Sequence, residues 1–345
     1  MKKTVLVTGG AGYIGSHMVK LLLEKGHRVV VFDNLSRGFA DAVLCPDLVV
    51  GDLLNPAAIN DVFSRFQVDV VMHFAALAYV GESMQHPREY YYNNVAGSMN
   101  LLNAMLDHGI DKFVFSSTCA TYGVPEKMPI TEAEAQRPIN PYGQSKLMVE
   151  RILADYAQAY GMNSIALRYF NAAGCDPDGR LGERHDPETH LIPLVLEEAQ
   201  RVIQGGNPAA TGLEVFGTDF DTADGSCVRD YIHVTDLCAA HLAAMDRLLD
   251  TPETGAEAYN LGNGNGFSVL DVIDVCRRVT GVGINYRASA RRPGDPAVLI
   301  GSADKALDIL GWEPRYTDLE EIVASAWLWM NGVSAQQEKA EELLA

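Results

Sequence analysis

The sequence predicts an α/β protein in which a doubly wound parallel sheet fills roughly the first half and a smaller α/β lobe follows. Two observations carry this. Short β-branched runs alternate with amphipathic helical stretches as far as residue 170, and beyond about Asn171 the rhythm gives way to segments rich in Gly, Pro and Asp. Near-continuous apolar strands separated by helices indicate strands buried on both faces, which is the signature of a parallel sheet.

The strand-like runs of the first half are Thr4–Thr8, Arg28–Phe32, Leu48–Val50, Val70–Phe74, Lys112–Ser116 and Ser164–Arg168, with helical patterns such as Ile14–Lys25 and Ala96–Leu106 between them. In the second half, loop-prone segments at Asp176–Gly182, Gly205–Gly212 and Asp219–Gly225 separate short helices at Leu191–Ile203 and Val269–Thr280. The expected division is therefore a first domain over residues 1–170 and a lobe over 171–345 that closes over it. The segment Arg229–Leu249 reads as a further strand and helix, and is expected to return to the main sheet. The charged, helix-prone tail Gln336–Leu344 is expected to form a surface helix.

The string Thr8-Gly9-Gly10-Ala11-Gly12-Tyr13-Ile14-Gly15 follows the first strand and opens the first helix. Gly9, Gly12 and Gly15 permit a tight turn, close approach of backbone to a pyrophosphate, and close helix packing, and the helix N-terminus adds donors and a favourable dipole. The first domain thus reads as a Rossmann-type dinucleotide-binding unit, with its ligand beyond the carboxyl ends of the strands. Asp33 ends the second strand, where a carboxylate accepts hydrogen bonds from ribose hydroxyls and repels a 2′-phosphate, so NAD is preferred over NADP. Arg37, close behind, tempers that preference. Asp52, after the third strand, either caps the adenine pocket or stabilises its own turn.

Tyr142 and Lys146 lie four apart in a helical pattern, so the ammonium shares a helix face with the phenol. A phenol of pKa near 10 is a poor base at neutral pH; a neighbouring cation and an oxidised nicotinamide ring both favour the phenolate. Bringing that pKa to about 7 takes roughly 4 kcal/mol of differential stabilisation, within reach of two close cations in a dry site. Ser116, Ser117 and Thr118 close the fifth strand at the same carboxyl edge, where a hydroxyl can bond a reacting substrate oxygen and relay its proton to Tyr142.

Bulk properties exclude some function classes. The net charge of −18 lacks the clustered Lys and Arg that nucleic-acid phosphates demand, although two well-placed arginines suffice for a diphosphate. The six cysteines (Cys45, Cys119, Cys175, Cys227, Cys238, Cys276) are widely spaced and read as reduced thiols of a cytoplasmic protein. Neither a signal peptide nor a membrane span is expected. His185, Asp186, Glu188 and His190 lie together in a Pro-containing stretch without recognisable ligand spacing, so they read as a polar loop and no metal is expected.

These residues together resemble the extended short-chain dehydrogenase/reductase family, and within it the UDP-glucose 4-epimerases. The likeness includes Asp33-Asn34-Leu35, His73-Phe74-Ala75-Ala76, Val80-Gly81-Glu82-Ser83, Asn93-Asn94-Val95 and the Tyr/Lys helix. It continues through Leu167-Arg168-Tyr169-Phe170-Asn171, residues 228–234, Tyr259-Asn260-Leu261-Gly262 and Arg291-Arg292-Pro293-Gly294-Asp295. The resemblance implies a tightly bound NAD touched by Tyr13, Ile14, Asn34, Ser36, Leu53, Phe74, Ala75, Ala76, Asn93, Ser116 and Tyr169 as well as the residues above. It implies a UDP-sugar site lined by Asn171, His190, Leu191, Phe216, Arg229, Val269, Arg292 and Asp295, with both arginines on the diphosphate and Asp295 on a uridine ribose hydroxyl. It also implies a homodimer joined through two long helices. Read alone, each arginine is an ordinary surface ion-pair partner.

Some positions depart from the family pattern. Thr118 stands where many members carry Ser, Ala78 where some place a Lys near the cofactor phosphates, and Leu299 where a bulky Tyr restricts some to plain hexoses. Related dehydratases carry Asp-Glu after the active-site Thr, and decarboxylases a Glu; here Cys119 and Ala120 cannot transfer the required protons, so elimination is disfavoured. The expected reaction is C4 epimerisation of UDP-glucose and UDP-galactose through a 4-keto sugar. UDP-N-acetylglucosamine and the UDP-xylose/UDP-arabinose pair are alternative substrates, and an inactive NAD-binding sensor is the alternative from another class.

Overall fold

The six apolar runs of the first half form strands in the computed structural model of the chain, which describes residues 2–251, 253–292 and 295–344, with side chains as far as residue 332. They are β1 (Thr4–Thr8), β2 (Arg28–Asp33), β3 (Asp47–Val50), β4 (Val70–His73), β5 (Lys112–Ser116) and β6 (Asn163–Tyr169). Three short strands follow, β7 (Asn171–Ala173), β8 (Glu214–Phe216) and β9 (Val228–His233), before β10 (Ala256–Leu261) returns to the first set. The large sheet has seven strands in the order β10-β6-β5-β4-β1-β2-β3, every pair parallel. Successive side chains of β1 point to opposite faces, yet Val5, Leu6 and Val7 are 0%, 1% and 0% exposed, so both faces are covered.

The covering helices begin where the sequence supplies caps. Helix α1 (Tyr13–Glu24) starts at the glycine string, and α2 (Pro56–Arg65) is capped by Asn55, with Pro56 at a position that needs no N–H. Helices α3 (Val80–Gln85) and α4 (Pro87–Tyr90) lead through a π-helical turn at Tyr91–Ala96 into α5 (Gly97–Asp107). The long α6 (Pro141–Tyr160) is capped by Asn140, which accepts from the Gly143 N–H at 2.8 Å, and ends at the left-handed Gly161. Leu101, Leu102 and Met105 of α5 and Val149 and Leu153 of α6 fill the core with Phe113 and Phe115 of β5.

By internal contacts the first unit comprises Met1–Phe170, Leu237–Leu261 and Ser302–Glu313, and the second Asn171–Asp236, Gly262–Gly301 and Pro314–Ala345. The second is built on α7 (Leu191–Ile203), α9 (Val269–Thr280) and α11 (Leu319–Leu344), whereas α8 (Val234–Asp250), from Leu237 onward, and α10 (Asp304–Leu310) belong to the first. The second unit's strands β11 (Gly266–Ser268), β12 (Arg287–Ser289) and β13 (Val298–Leu299) join β7, β8 and β9: β9 pairs with β7, β11 and β13, and β8 with β12. Val195, Leu196, Val272, Ile273, Ile322 and Val323 form its core. Among the described residues no helix is long and apolar enough to cross a membrane.

The segment expected to return over 229–250 does so only from Leu237 onward. Its strand, β9, stays in the second unit because Asp230 in its middle is fully buried and held there by the N–H groups of Asn263 and Gly301. The strand that joins the main sheet is β10, lying parallel to β6. The tail Gln336–Leu344 falls within α11, and its exposure, like Pro293 and Gly294, lies outside the described residues.

One buried ion pair ties α6 to the sheet. The Glu150 carboxylate accepts from Arg168 Nε at 3.0 Å, from Arg168 Nη2, from Gln136 Nε2 at 3.0 Å and from the Ser117 hydroxyl, and both charged side chains are 8% exposed. Removing one partner strands a buried charge, whereas replacing both does not. We expect Arg168→Met to cost about 3–5 kcal/mol in urea unfolding and the Arg168→Met/Glu150→Leu double variant to recover most of it. Equal losses in the two proteins would contradict a stranded charge as the cause.

Candidate active site

The strand order places the topological switch point between β1 and β4, where open parallel sheets bind their ligands. The chain leaves β1 through Gly9, whose φ of +74° is left-handed and whose ideal Cβ would lie 2.4 Å from Ala75 N, just past β4. A Cβ on Gly15 would lie 2.1 Å from Gly9 O, so only glycine lets α1 pack this close. Gly12 differs: its Cβ would touch only Gly9 O at 3.4 Å, and it begins α1 without a side-chain cap. The result is an open face at a helix N-terminus, which fits a pyrophosphate.

Around this cradle Asp33 is buried, accepting from Ala11 N at 3.0 Å and Leu35 N at 2.8 Å, with acceptor capacity left for ribose hydroxyls. Asn34 accepts from the Ser36 N–H and hydroxyl, and donates to Asp52 at 2.9 Å; Asp52 also accepts from Leu54 N at 2.8 Å, which makes it a turn-stabilising group. Arg37 is engaged by Glu82 at 2.7 Å and by the Tyr79 ring, so its charge is partly neutralised. Leu53 is buried, Phe74 packs on His241 with ring centroids 4.7 Å apart, and Asn93 donates to Asn94 at 2.9 Å. Asn94 in turn bridges Leu77 and Ser145.

Along one face of α6, Tyr142, Lys146 and Glu150 meet the residues that follow β5. Thr118 hydrogen-bonds the Tyr142 phenol, Lys146 Nζ donates to Ser116 O at 2.8 Å, and Glu150 accepts from Ser117. Tyr169 shares a 2.7 Å bond with the Ser116 hydroxyl. Burial pushes the Tyr142 phenol up, the Thr118 bond only partly opposing it, and burial brings Lys146 down to about 7, with Glu150 opposing. At Tyr142 desolvation therefore outweighs the Thr118 hydrogen bond, so the phenolate depends on further positive charge such as that of an oxidised nicotinamide.

The second unit holds a cavity of about 660 Å³, a normal size for a small-molecule site. Asn171, His190 and Leu191 line one part, and Phe216, Arg229, Val269, Arg292 and Asp295 another. Arg229 donates to the carbonyls of Val228 and Pro296 at 2.8 and 2.9 Å and lies 3.5 Å from Asp295. Arg292 stacks on Phe216 with its guanidinium carbon 4.0 Å from the ring centre. Asn171 donates to Asp230 O at 2.8 Å. Leu299 is not among the lining residues; it lies on β13, paired in register with Arg229.

The sequence reading missed Glu150, which is within the Tyr/Lys helix pattern at the next i+4 position, and Glu183. The latter converges with His185, Glu188 and His190, and Asp186 does not join them. The stretch read as a polar loop without ligand spacing is thus a folded cluster. Burial disfavours charge on His190, but hydrogen bonds to Glu183 and Glu188 prevail and bring it up to about 10.

Residues 5–262 match the model of the NAD dependent epimerase/dehydratase family. The chain belongs to that family. Among curated relatives, the UDP-glucose 4-epimerase of Halalkalibacterium halodurans is 50% identical over 94% of this chain and 95% of its own, and that of Rhizobium meliloti is 48% identical over 94% and 96%. Among solved structures, the UDP-glucose 4-epimerase of Brucella ovis in complex with NAD is 48% identical, with a TM-score of 0.89 over 94% of this chain and 97% of that one.

A lysine whose folded pKa lies below its unfolded value opposes folding fully below the folded pKa, and the penalty is relieved as pH rises toward the unfolded value. For Lys146 that window runs from about 7 up to the ordinary lysine value of 10.5. In this family member stripped of cofactor, Lys146→Met should raise stability at pH 7, by up to about 5 kcal/mol, and by less at pH 9. Urea unfolding at both values checks this, and a gain that grows with pH would contradict it.

Proposed function

We propose that this chain interconverts UDP-glucose and UDP-galactose by inverting C4 of the sugar, with NAD as a resident cofactor. The observation that carries this reading is the face of α6 on which Tyr142 and Lys146 are bonded to Thr118 and Ser116, in the same unit as a cradle suited to a dinucleotide. Gly9, Gly12, Tyr13, Ile14 and Gly15 hold the pyrophosphate, and Asp33, Asn34, Ser36, Asp52 and Leu53 the adenosine half. Phe74, Ala75, Ala76, Asn93, Ser116 and Tyr169 complete the cofactor site.

NAD, when bound, supplies a reversible hydride acceptor for C4. Tyr142 takes the C4 hydroxyl proton, with the Thr118 hydroxyl in the relay, and returns it after the 4-keto sugar has turned its other face. Because burial raises the phenol, its ionisation depends on positive charge nearby, to which Lys146, its Nζ anchored on Ser116 O, and the oxidised nicotinamide would both contribute. Arg229 and Arg292 bind the diphosphate and Asp295 a ribose hydroxyl, while Asn171, His190, Leu191, Phe216 and Val269 line the nucleotide site and Leu299, smaller than the Tyr of some family members, leaves N-acetylated sugars admissible. Affinity placed on the nucleotide leaves the sugar free to turn, which the reaction requires. Cys119 and Ala120 follow Thr118, so no side chain there can transfer the protons of a dehydration or decarboxylation.

The protein works as a cytoplasmic homodimer. The cysteines are free thiols, as a reducing compartment requires, and Tyr92, Met99 and Met148 leave apolar side chains exposed on the π-turn, α5 and α6. Light scattering should give twice the mass of the chain, and a monomer would overturn the dimer.

The purified protein should convert UDP-galactose to UDP-glucose without added NAD, followed by anomeric proton NMR. Tyr142→Phe should lower turnover by about 10²–10⁴-fold with NAD content unchanged. No conversion even with NAD added, and none distinguishing wild type from Tyr142→Phe, would overturn the assignment. Conversion of UDP-N-acetylgalactosamine or UDP-xylose in preference would move the substrate within the same reaction.

A further inference from the structure

The loop that leads into α7 carries a side-chain cluster that takes no part in the proposed hydride and proton steps, although its His190 and Glu183 also border the cavity. Glu183, His185, Glu188 and His190 follow the spacing Glu-x-His-x-x-Glu-x-His, and one ligand atom from each lies within 4.8 Å of all the others. Both histidines turn Nδ1 inward onto the same two carboxylates. His185 Nδ1 is 3.4 Å from Glu183 and 3.3 Å from Glu188; His190 Nδ1 is 3.0 and 2.9 Å from the same pair. The Glu183 and Glu188 side chains are only 6% and 8% exposed.

Those separations have a specific geometric meaning. Bonds of about 2.0–2.2 Å to nitrogen and carboxylate oxygen at tetrahedral angles place neighbouring ligand atoms about 3.3–3.5 Å apart. Glu183 Oε1 faces both imidazole nitrogens, at 3.4 and 3.0 Å, whereas Glu188 turns Oε2 to His185 at 3.3 Å and Oε1 to His190 at 2.9 Å, so a rotation of the Glu188 carboxylate that brings one oxygen between both rings would complete a tetrahedron. The set is also oriented from behind: Glu188 accepts from Thr189 N at 2.6 Å and His190 N at 2.8 Å, the kind of outer support that fixes metal-ligating carboxylates. Two buried carboxylates side by side need positive charge between them, and two inward imidazole nitrogens can share a cation with them only when neutral.

We propose that Glu183, His185, Glu188 and His190 form a binding site for one divalent cation of the zinc class. Two imidazoles and two carboxylates suit zinc, cobalt or nickel better than magnesium or calcium, which take oxygen-only shells of higher coordination number. Closing all four ligands makes the site structural: the cation fastens residues 183–190 to the start of α7 and so braces a wall of the cavity that Glu183 and His190 line. This rests on none of the roles given to Tyr142, Lys146 or the arginines. The competing arrangement is a pair of imidazolium–carboxylate bridges with no metal.

The full chain, freed of any affinity tag and treated with chelator, is titrated with Co²⁺ and then Zn²⁺. One Co²⁺ per chain should bind with the intense visible bands of a tetrahedral site, and Zn²⁺ should displace it. Glu183→Gln and His185→Gln should each weaken Zn²⁺ by more than about 100-fold, since even outer partners of metal-ligating histidines are worth 10–100-fold. Asp186→Asn, adjacent but outside the cluster, should bind as the wild type does. Excess Zn²⁺ should also raise the melting temperature of the chelator-treated wild type, a readout that needs no variant to fold. A wild type that gives no tetrahedral Co²⁺ spectrum, a melting temperature unmoved by Zn²⁺, or binding that survives the Glu183→Gln/His185→Gln double change would each overturn the site.

Discussion

The hydrogen bond from Lys146 Nζ to the Ser116 carbonyl, 2.8 Å long, joins the long helix of the first unit to the end of a central strand. It belongs to a ladder. Tyr142, Lys146 and Glu150 recur every fourth residue on α6 and bond, in turn, to Thr118, Ser116 and Ser117. Because i and i+4 share a helix face, one rigid α6 sets all three side chains at once. The lower rung is the strongest, since Glu150 also holds Arg168 of β6, and a buried bidentate pair resists sliding of helix against sheet. The position of the Tyr142 phenol is thus fixed by Thr118, which bonds it, and by the Lys146 and Glu150 contacts further along the same helix.

Charge is handled locally. A chain with net charge −18 repels phosphorylated ligands at long range, so affinity for them has to come from short-range geometry. Arg229 is held by two backbone carbonyls and Arg292 by the face of Phe216, which leaves both guanidinium groups oriented before a ligand arrives. In the first unit the corresponding device is backbone: the open face of Gly12 at the start of α1 offers N–H groups and a helix dipole without any net charge.

Legibility followed the range of the interaction. Strands β1 to β6 of the main sheet and helices α7 and α9 are readable because apolar periodicity and caps act over a few residues, as with Ser268 capping α9, whereas β10 is not signalled by its sequence. The Tyr142/Lys146 pair was readable for the same reason, being one helix turn. The assignment of β9 to the main sheet failed because the deciding contacts, from Asp230 to Asn263 and Gly301, join residues far apart in sequence. Glu150 went unremarked although it continues the same spacing, because its partners Arg168 and Gln136 are brought in by the fold. The cluster at 183–190 is local, yet a helix or strand template does not describe it; only the loop's own path turns both imidazoles inward.

Burial at Tyr142 cuts two ways. Excluding water strengthens every hydrogen bond made to the phenol, and the same exclusion raises the phenol and lowers the pKa of Lys146. A site tuned to hold a phenolate permanently would have to expose Tyr142 or surround it with fixed cations, and either change would weaken the dry environment that hydride chemistry needs. Here the fixed dipoles are few: one threonine hydroxyl on the phenol and one carbonyl under the ammonium. On the proposed mechanism the basicity of Tyr142 is consequently conditional, rising or falling with the charge in the neighbouring cofactor site, which would couple proton removal at C4 to the oxidised state of the cofactor.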